Sequence, residues 1–179
     1  MGPRFVMSPP RVPHVLGLHR VVETLEVGVQ RTLFAAGGAG QTLGVFPVDE
    51  AGLLGTPNEV PTGQYASGLA LSPDGALVWV GAFTGGDVVE IDTTTLEITQ
   101  RIPVSTGVYD LVYLPGRDEL YASDLAGRTI AVIDVGAGAE VAQIDADVTS
   151  AGLAASAAGD RVYVALSNGD ALAEIDPVA

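Results

Sequence analysis

The chain of 179 residues contains no cysteine and no lysine. The absence of cysteine excludes disulfides, thiolate nucleophiles and cysteine-ligated metal sites, and it is compatible with both oxidising and reducing compartments. The absence of lysine excludes Schiff-base chemistry and the lysine of a phosphate-binding loop. The histidines, His14 and His19, have no acidic ligand cluster beside them, so we expect neither a metal site nor a cofactor.

Basic residues are scarce as well, with 8 against 22 acidic ones and a net charge of −14. Such a surface repels phosphate groups, so we expect neither a nucleic acid nor an anionic membrane as a partner. No apolar run approaches the roughly 18 residues of a membrane helix. Residues 1–20 also lack an apolar core followed by a small-residue cleavage site, so we expect no secretory signal in this chain.

What the sequence does contain is a repeat. Three sets of residues recur at intervals of 42: Leu69, Leu111 and Leu153; Trp79, Tyr121 and Tyr163; and Asp92, Asp134 and Asp176. A more diverged copy precedes them at residues 32–49. Self-similarity at a fixed period of this length is typical of proteins built from stacked structural units.

Each unit reads as four short strands separated by turn residues. In the second copy these are residues 68–72, 76–82, 87–92 and 97–104. Four antiparallel strands in about 42 residues match one blade of a propeller. We therefore predict a single all-β domain, a β-propeller of about four blades, over residues 15–62, 63–106, 107–148 and 149–179.

The aromatic strands carry a family resemblance. It is carried by three runs: Trp79-Val80-Gly81-Ala82, Tyr121-Ala122-Ser123-Asp124 and Tyr163-Val164-Ala165-Leu166. In each copy the aromatic residue lies 13 positions before the repeated Asp. Over residues 32–179 this pattern resembles the YVTN-repeat β-propeller family, although the Asn of that motif is replaced throughout. Residues 43–54 resemble more weakly the lactonase-type propellers related to 6-phosphogluconolactonase.

Ring size is open at this point. The families resembled here usually close with about seven blades, whereas this chain holds four copies and the last one ends after its third strand. An apolar segment at residues 4–7, within residues 1–14, is predicted to complete that blade. It would close a four-bladed ring within one chain or an eight-bladed ring in a homodimer. The remaining alternative is a truncated piece of a larger YVTN-repeat protein.

The repeated Asp residues favour a structural role over a ring of metal ligands, because an Asp in a turn accepts backbone N–H groups once per blade. Glu90 and Glu174 share one repeat position. We expect them at an exposed blade edge or paired with an arginine.

Loops that break the repeat are the candidate functional positions. Residues 37–41, 83–87, 124–128 and 167–170 follow the aromatic strands. Their polar members Asp124, Arg128, Asn168 and Asp170 are candidate ligand-binding residues at one mouth of the ring. Tyr65 and Tyr109 precede the first strands of adjacent blades and are expected either at the edge of the central channel or as packing aromatic residues.

No recognised catalytic motif is present, and no catalytic residue is assigned. The pattern favours a non-enzymatic binding or scaffold protein that recognises a protein, peptide or glycan. The alternative is a lactonase-type hydrolase. Resemblance to YVTN-repeat proteins implies an extracytoplasmic location, periplasmic or secreted, which the residues themselves neither require nor exclude.

Overall fold

The computed structural model describes residues 20–27, 30–63, 65–104, 107–147, 149–167 and 170–177, and every regular element in these ranges is a β-strand. The apolar segment at residues 4–7, the two histidines and Asn168 lie outside the described residues.

Antiparallel strands form four separate sheets, which we call blades 1 to 4. Blade 1 contains β1 (Arg20–Val27), β2 (Gln30–Ala36), β3 (Thr42–Val48) and β4 (Asn58–Pro61). Blade 2 contains β5 (Ala66–Leu71), β6 (Leu77–Ala82), β7 (Asp87–Asp92) and β8 (Ile98–Pro103). Blade 3 contains β9 (Asp110–Leu114), β10 (Glu119–Ser123), β11 (Thr129–Asp134) and β12 (Ala139–Asp145). Blade 4 contains β13 (Ser150–Ala155), β14 (Val162–Leu166) and β15 (Ala171–Ile175).

Strand order within every blade follows the chain, and the first strands of successive blades contact one another: β1 with β5, β5 with β9, and β9 with β13. This arrangement of sequential sheets around their first strands confirms the predicted β-propeller architecture. The four strands predicted for the second repeat agree with β5 to β8 within two residues at each end.

Apolar side chains are buried between consecutive blades. Phe34 and Val89 belong to the core between blades 1 and 2, Trp79 and Ile133 to the core between blades 2 and 3, and Tyr121 to the core between blades 3 and 4. Strands in the middle of the stack are covered on both faces, which is why β7 has four consecutive buried residues. Stacking thus buries the recurring Leu69, Leu111, Trp79 and Tyr121.

Turn chemistry explains the repeated Asp residues. The carboxylate of Asp92 accepts the N–H groups of Thr94 and Thr95 at 2.8 and 2.7 Å, and that of Asp134 accepts the N–H of Ala137 at 2.7 Å. These bonds confirm the turn-capping interpretation. Asp176, the last of the set, instead forms an ion pair with Arg161.

The expectation for Glu90 was wrong. Glu90 is buried and neither faces solvent nor pairs with an arginine, because it lies opposite Trp79 in the β6–β7 pairing, under blade 3. Its carboxylate accepts the indole N–H of Trp79 at 2.9 Å and the hydroxyl of Thr99 at 2.7 Å. Glu174 is exposed and pairs with Arg161, which is one of the two environments expected for it.

Candidate functional site

The repeat-breaking connections lie at one end of the blades. Antiparallel pairing places Ala66 opposite Ala82 and Ala82 opposite Asp87, so the β6–β7 connection is beside the segment that enters β5. Backbone hydrogen bonds join these ends between blades, including Gly38 N–H to Ala66 O at 3.0 Å. We call this end of the four blades the upper face.

Three aromatic residues from three connections meet on the upper face. Tyr65 lies between β4 and β5, Phe83 between β6 and β7, and Tyr109 between β8 and β9. The ring of Phe83 is 5.9 Å from that of Tyr65 in a tilted contact, and 6.2 Å from that of Tyr109 in an edge-to-face contact. These distances fall in the range of favourable aromatic pairs.

Backbone contacts hold this aromatic cluster in place. The N–H of Phe83 donates to the carbonyl of Tyr65 at 3.0 Å, and the N–H of Tyr109 donates to the carbonyl of Ser123 in blade 3 at 2.8 Å. Tyr65 adopts a left-handed conformation with φ of 49°. Gly107 packs so closely on the carbonyl of Phe83 that a side chain at this position would collide with it.

All three aromatic residues are half-buried, in contrast to the completely buried Trp79 of the blade core. A cluster that only filled the core would be covered on all sides. This cluster instead combines fixed positions with accessible ring surface, a combination found at recognition surfaces.

The predicted polar residues occupy different environments on this face. The carboxylate of Asp124 is nearly inaccessible and accepts the N–H of Ala126 at 2.8 Å, so it caps its own turn. Arg128 and Asp170 are exposed, and both have left-handed backbone conformations. Within the described ranges no carboxylate lies at ion-pair distance from the Arg128 guanidinium.

Two residues of this region escaped the sequence analysis. Asp110 begins β9 and is 1% exposed, and its carboxylate accepts the N–H of Leu153 in blade 4 at 2.8 Å. It occupies the repeat position of Gly68 and Gly152, so a comparison of the repeats within strands would have found it. Phe83 was included only in a loop range, although no other copy has an aromatic residue there.

Other kinds of site receive no support from the described residues. No group of three potential metal-ligating side chains occurs among them. The described residues also form no helix that is long and apolar enough to cross a membrane.

Comparisons with known proteins show the fold. No family model matches the chain, and no curated protein matches it. Among solved structures it is similar to Kuenenia stuttgartiensis hydrazine synthase, with a TM-score of 0.77 and 20% identity over 97% of this chain. The match covers 50% of that chain, so this protein spans about half its length. At this identity the likeness concerns architecture alone, and the chain is accordingly described as four blades of an all-β propeller.

Proposed function

We propose that this chain is a non-enzymatic binding module that recognises a protein, peptide or glycan through its upper face. The observation that carries the proposal is the half-buried aromatic cluster of Tyr65, Phe83 and Tyr109. Rigid aromatic rings supply contact area at a low cost in conformational entropy. Both peptides and sugars bind to surfaces of this kind.

Arg128 adds a charged group to the same face. Arg101, Arg117 and Arg161 are each engaged with a carboxylate, whereas the exposed guanidinium of Arg128 is available to donate to a ligand. An aromatic platform with a separate hydrogen-bond donor gives both affinity and orientation. Arg128 and the exposed Asp170 therefore remain ligand-binding candidates.

The test is to screen the protein against a glycan array and a random peptide library, then compare variants on each ligand found. We expect Tyr65→Ala/Tyr109→Ala to weaken binding by about tenfold or more, because removal of a buried interface aromatic commonly costs over 1.4 kcal/mol. Glu97→Gln is the control, since Glu97 is exposed in the β7–β8 connection, away from the upper face.

If the double variant does not fold, Arg128→Ala gives the same test at an exposed side chain. Retention of full affinity in a folded variant that lacks the two upper-face tyrosines would contradict the proposed surface. Hydrolysis of 6-phosphogluconolactone by the purified protein would contradict the non-enzymatic assignment and support the lactonase alternative.

A further inference from the structure

A recess lies at the end of blades 2 and 3 opposite to the upper face and its aromatic cluster. Its volume is about 390 Å³. The walls are largely apolar and the rim is acidic, with the lining formed chiefly by Leu77, Trp79, Tyr113, Val135, Asp74 and Asp118. We call it the lower cleft.

Tyr113 departs from the repeat in this cleft. Its position is held by Leu71 in blade 2 and by Ala155 in blade 4. The phenol ring stacks on Trp79 with 5.2 Å between ring centroids and 8° between ring planes. Neither Leu71 nor Ala155 is aromatic, so the phenol ring and its hydroxyl are specific to the space between blades 2 and 3.

The corresponding space between blades 3 and 4 has a different chemistry. There Glu119 stands at the position of Leu77, and it accepts the hydroxyl of Tyr121 at 3.0 Å. Glu119 also binds Arg117 through two hydrogen bonds, at 2.8 and 3.1 Å. That interface therefore carries its own internal cation, whereas no arginine lines the lower cleft.

Each of the two carboxylates at the rim has one oxygen engaged and one available. Asp74 accepts the hydroxyl of Ser72 and the N–H of Ala76 through Oδ1, and the Ser72 bond is the main cause that lowers the pKa of Asp74. Asp118 accepts the Tyr113 hydroxyl at 2.9 Å through its Oδ1. In neither residue does Oδ2 accept a hydrogen bond from the described part of the chain.

We propose that the lower cleft binds the guanidinium group of an arginine on a basic protein segment. A guanidinium is flat and weakly hydrated, packs on aromatic and aliphatic walls, and donates to carboxylates. These properties match the Tyr113 ring and the free oxygens of Asp74 and Asp118. The net charge of −14 would also attract basic partners. This inference is independent of the function proposed for the upper face.

Trp79 provides a direct readout because it is the only tryptophan in the chain and lines the cleft. The experiment titrates the protein with the peptide acetyl-Gly-Arg-Gly-amide and follows tryptophan fluorescence. For one docked side chain we expect a Kd on the order of 1 mM. The affinity should fall as salt is added. The same peptide with citrulline in place of arginine keeps the shape of the side chain and lacks its charge. Its affinity should be lower by about tenfold or more.

Asp74→Asn/Asp118→Asn tests the rim without removing the acceptors of the existing hydrogen bonds, since the asparagine Oδ1 can replace the carboxylate Oδ1 in each. We expect about a tenfold loss of affinity for the arginine peptide. Glu97→Gln removes one charge at an exposed position outside the cleft and should leave the affinity unchanged.

The proposal is overturned if the arginine peptide causes no saturable change, if citrulline binds equally well, or if the folded double variant keeps the original affinity. Equal binding of a lysine peptide would overturn the assignment to guanidinium.

Discussion

Blades 2 and 3 approach each other closely because position 68 is a glycine. A Cβ atom at Gly68 would lie 2.7 Å from the backbone nitrogen of Leu111 and 2.8 Å from Cα of Asp110. Both contacts are backbone atoms that cannot move aside independently. A glycine is therefore required by the approach of β5 to β9.

We expect Gly68→Ala to lower the free energy of unfolding by about 2 kcal/mol or more, because overpacking against fixed backbone forces the blades apart. Gly152→Ala is the matched control at the equivalent repeat position, where the nearest atom is 3.9 Å away. Urea denaturation followed by circular dichroism measures both variants. Equal stability of the two alanine variants would contradict this account of blade packing.

Two tyrosines are expected to hold their protons unusually tightly. Desolvation by burial, followed by the hydrogen bond to Asp118, raises the pKa of Tyr113 from 10.0 to about 12. Desolvation and the hydrogen bond to Glu119 do the same for Tyr121, whose pKa is also raised to about 12. Between pH 10.0 and about 12 the folded protein therefore binds more protons than the unfolded chain.

Stability should consequently fall as pH rises from 10.0 towards about 12. An ultraviolet titration of phenolate absorbance should show a late phase from Tyr113 and Tyr121, accompanied by unfolding. Tyr113→Phe and Tyr121→Phe should each reduce that phase. A single phase near 10.0 in the folded protein would show that the two phenols are not shielded as described.

At the scale of a blade, equivalent positions have very different environments. Val88, Ile130 and Leu172 share one repeat position on the third strand, yet their exposed fractions are 0%, 2% and 71%. The first two are covered by the next blade. Leu172 is on β15, and among the described residues no strand lies beyond it in the sheet.

We expect Ile130→Ala to cost about 2–4 kcal/mol of unfolding free energy, since it creates a cavity between blades 3 and 4. Leu172→Ala should change it by less than about 0.5 kcal/mol, as surface substitutions usually do. The two variants can be compared by urea denaturation. A similar loss in both would mean that Leu172 is covered in solution.

At the scale of the whole molecule, no blade among the described residues covers the face of blade 4 that points away from blade 3. Ala154, Ala165 and Leu172 are exposed on it, and Tyr163 is half-buried there. Trp79 and Tyr121 hold the same repeat position as Tyr163, and both are buried under a following blade. The face therefore has the composition of an interface between blades.

We expect the chain to self-associate through this face, which corresponds to the homodimer among the three assemblies left open by the repeat count. Light scattering after size exclusion should give a mass above that of one chain, and Leu172→Glu should shift the distribution towards the monomer. Glu97→Gln, an exposed change on blade 2, should have no effect. A monodisperse monomer across concentrations would contradict self-association.

Particular residues show how far sequence reasoning reached. The 42-residue spacing predicted the all-β propeller, the four strands of the second repeat and the capping role of Asp92 and Asp134, because those features depend on local pattern and turn chemistry. Tyr65 and Tyr109 were predicted as channel-edge or packing aromatic residues, and the structure places them on either side of Phe83. No local pattern indicated that third ring.

Contacts between blades account for what the sequence did not reveal. Glu90 is buried because blade 3 covers Trp79, and Asp110 is placed by the N–H of Leu153 in blade 4. Periodicity determined the fold, since burial of the repeated residues requires stacked sheets. Tertiary structure alone decided which side chains outside the repeat contact one another. These contacts join residues from different blades, and no local spacing in the sequence relates such residues.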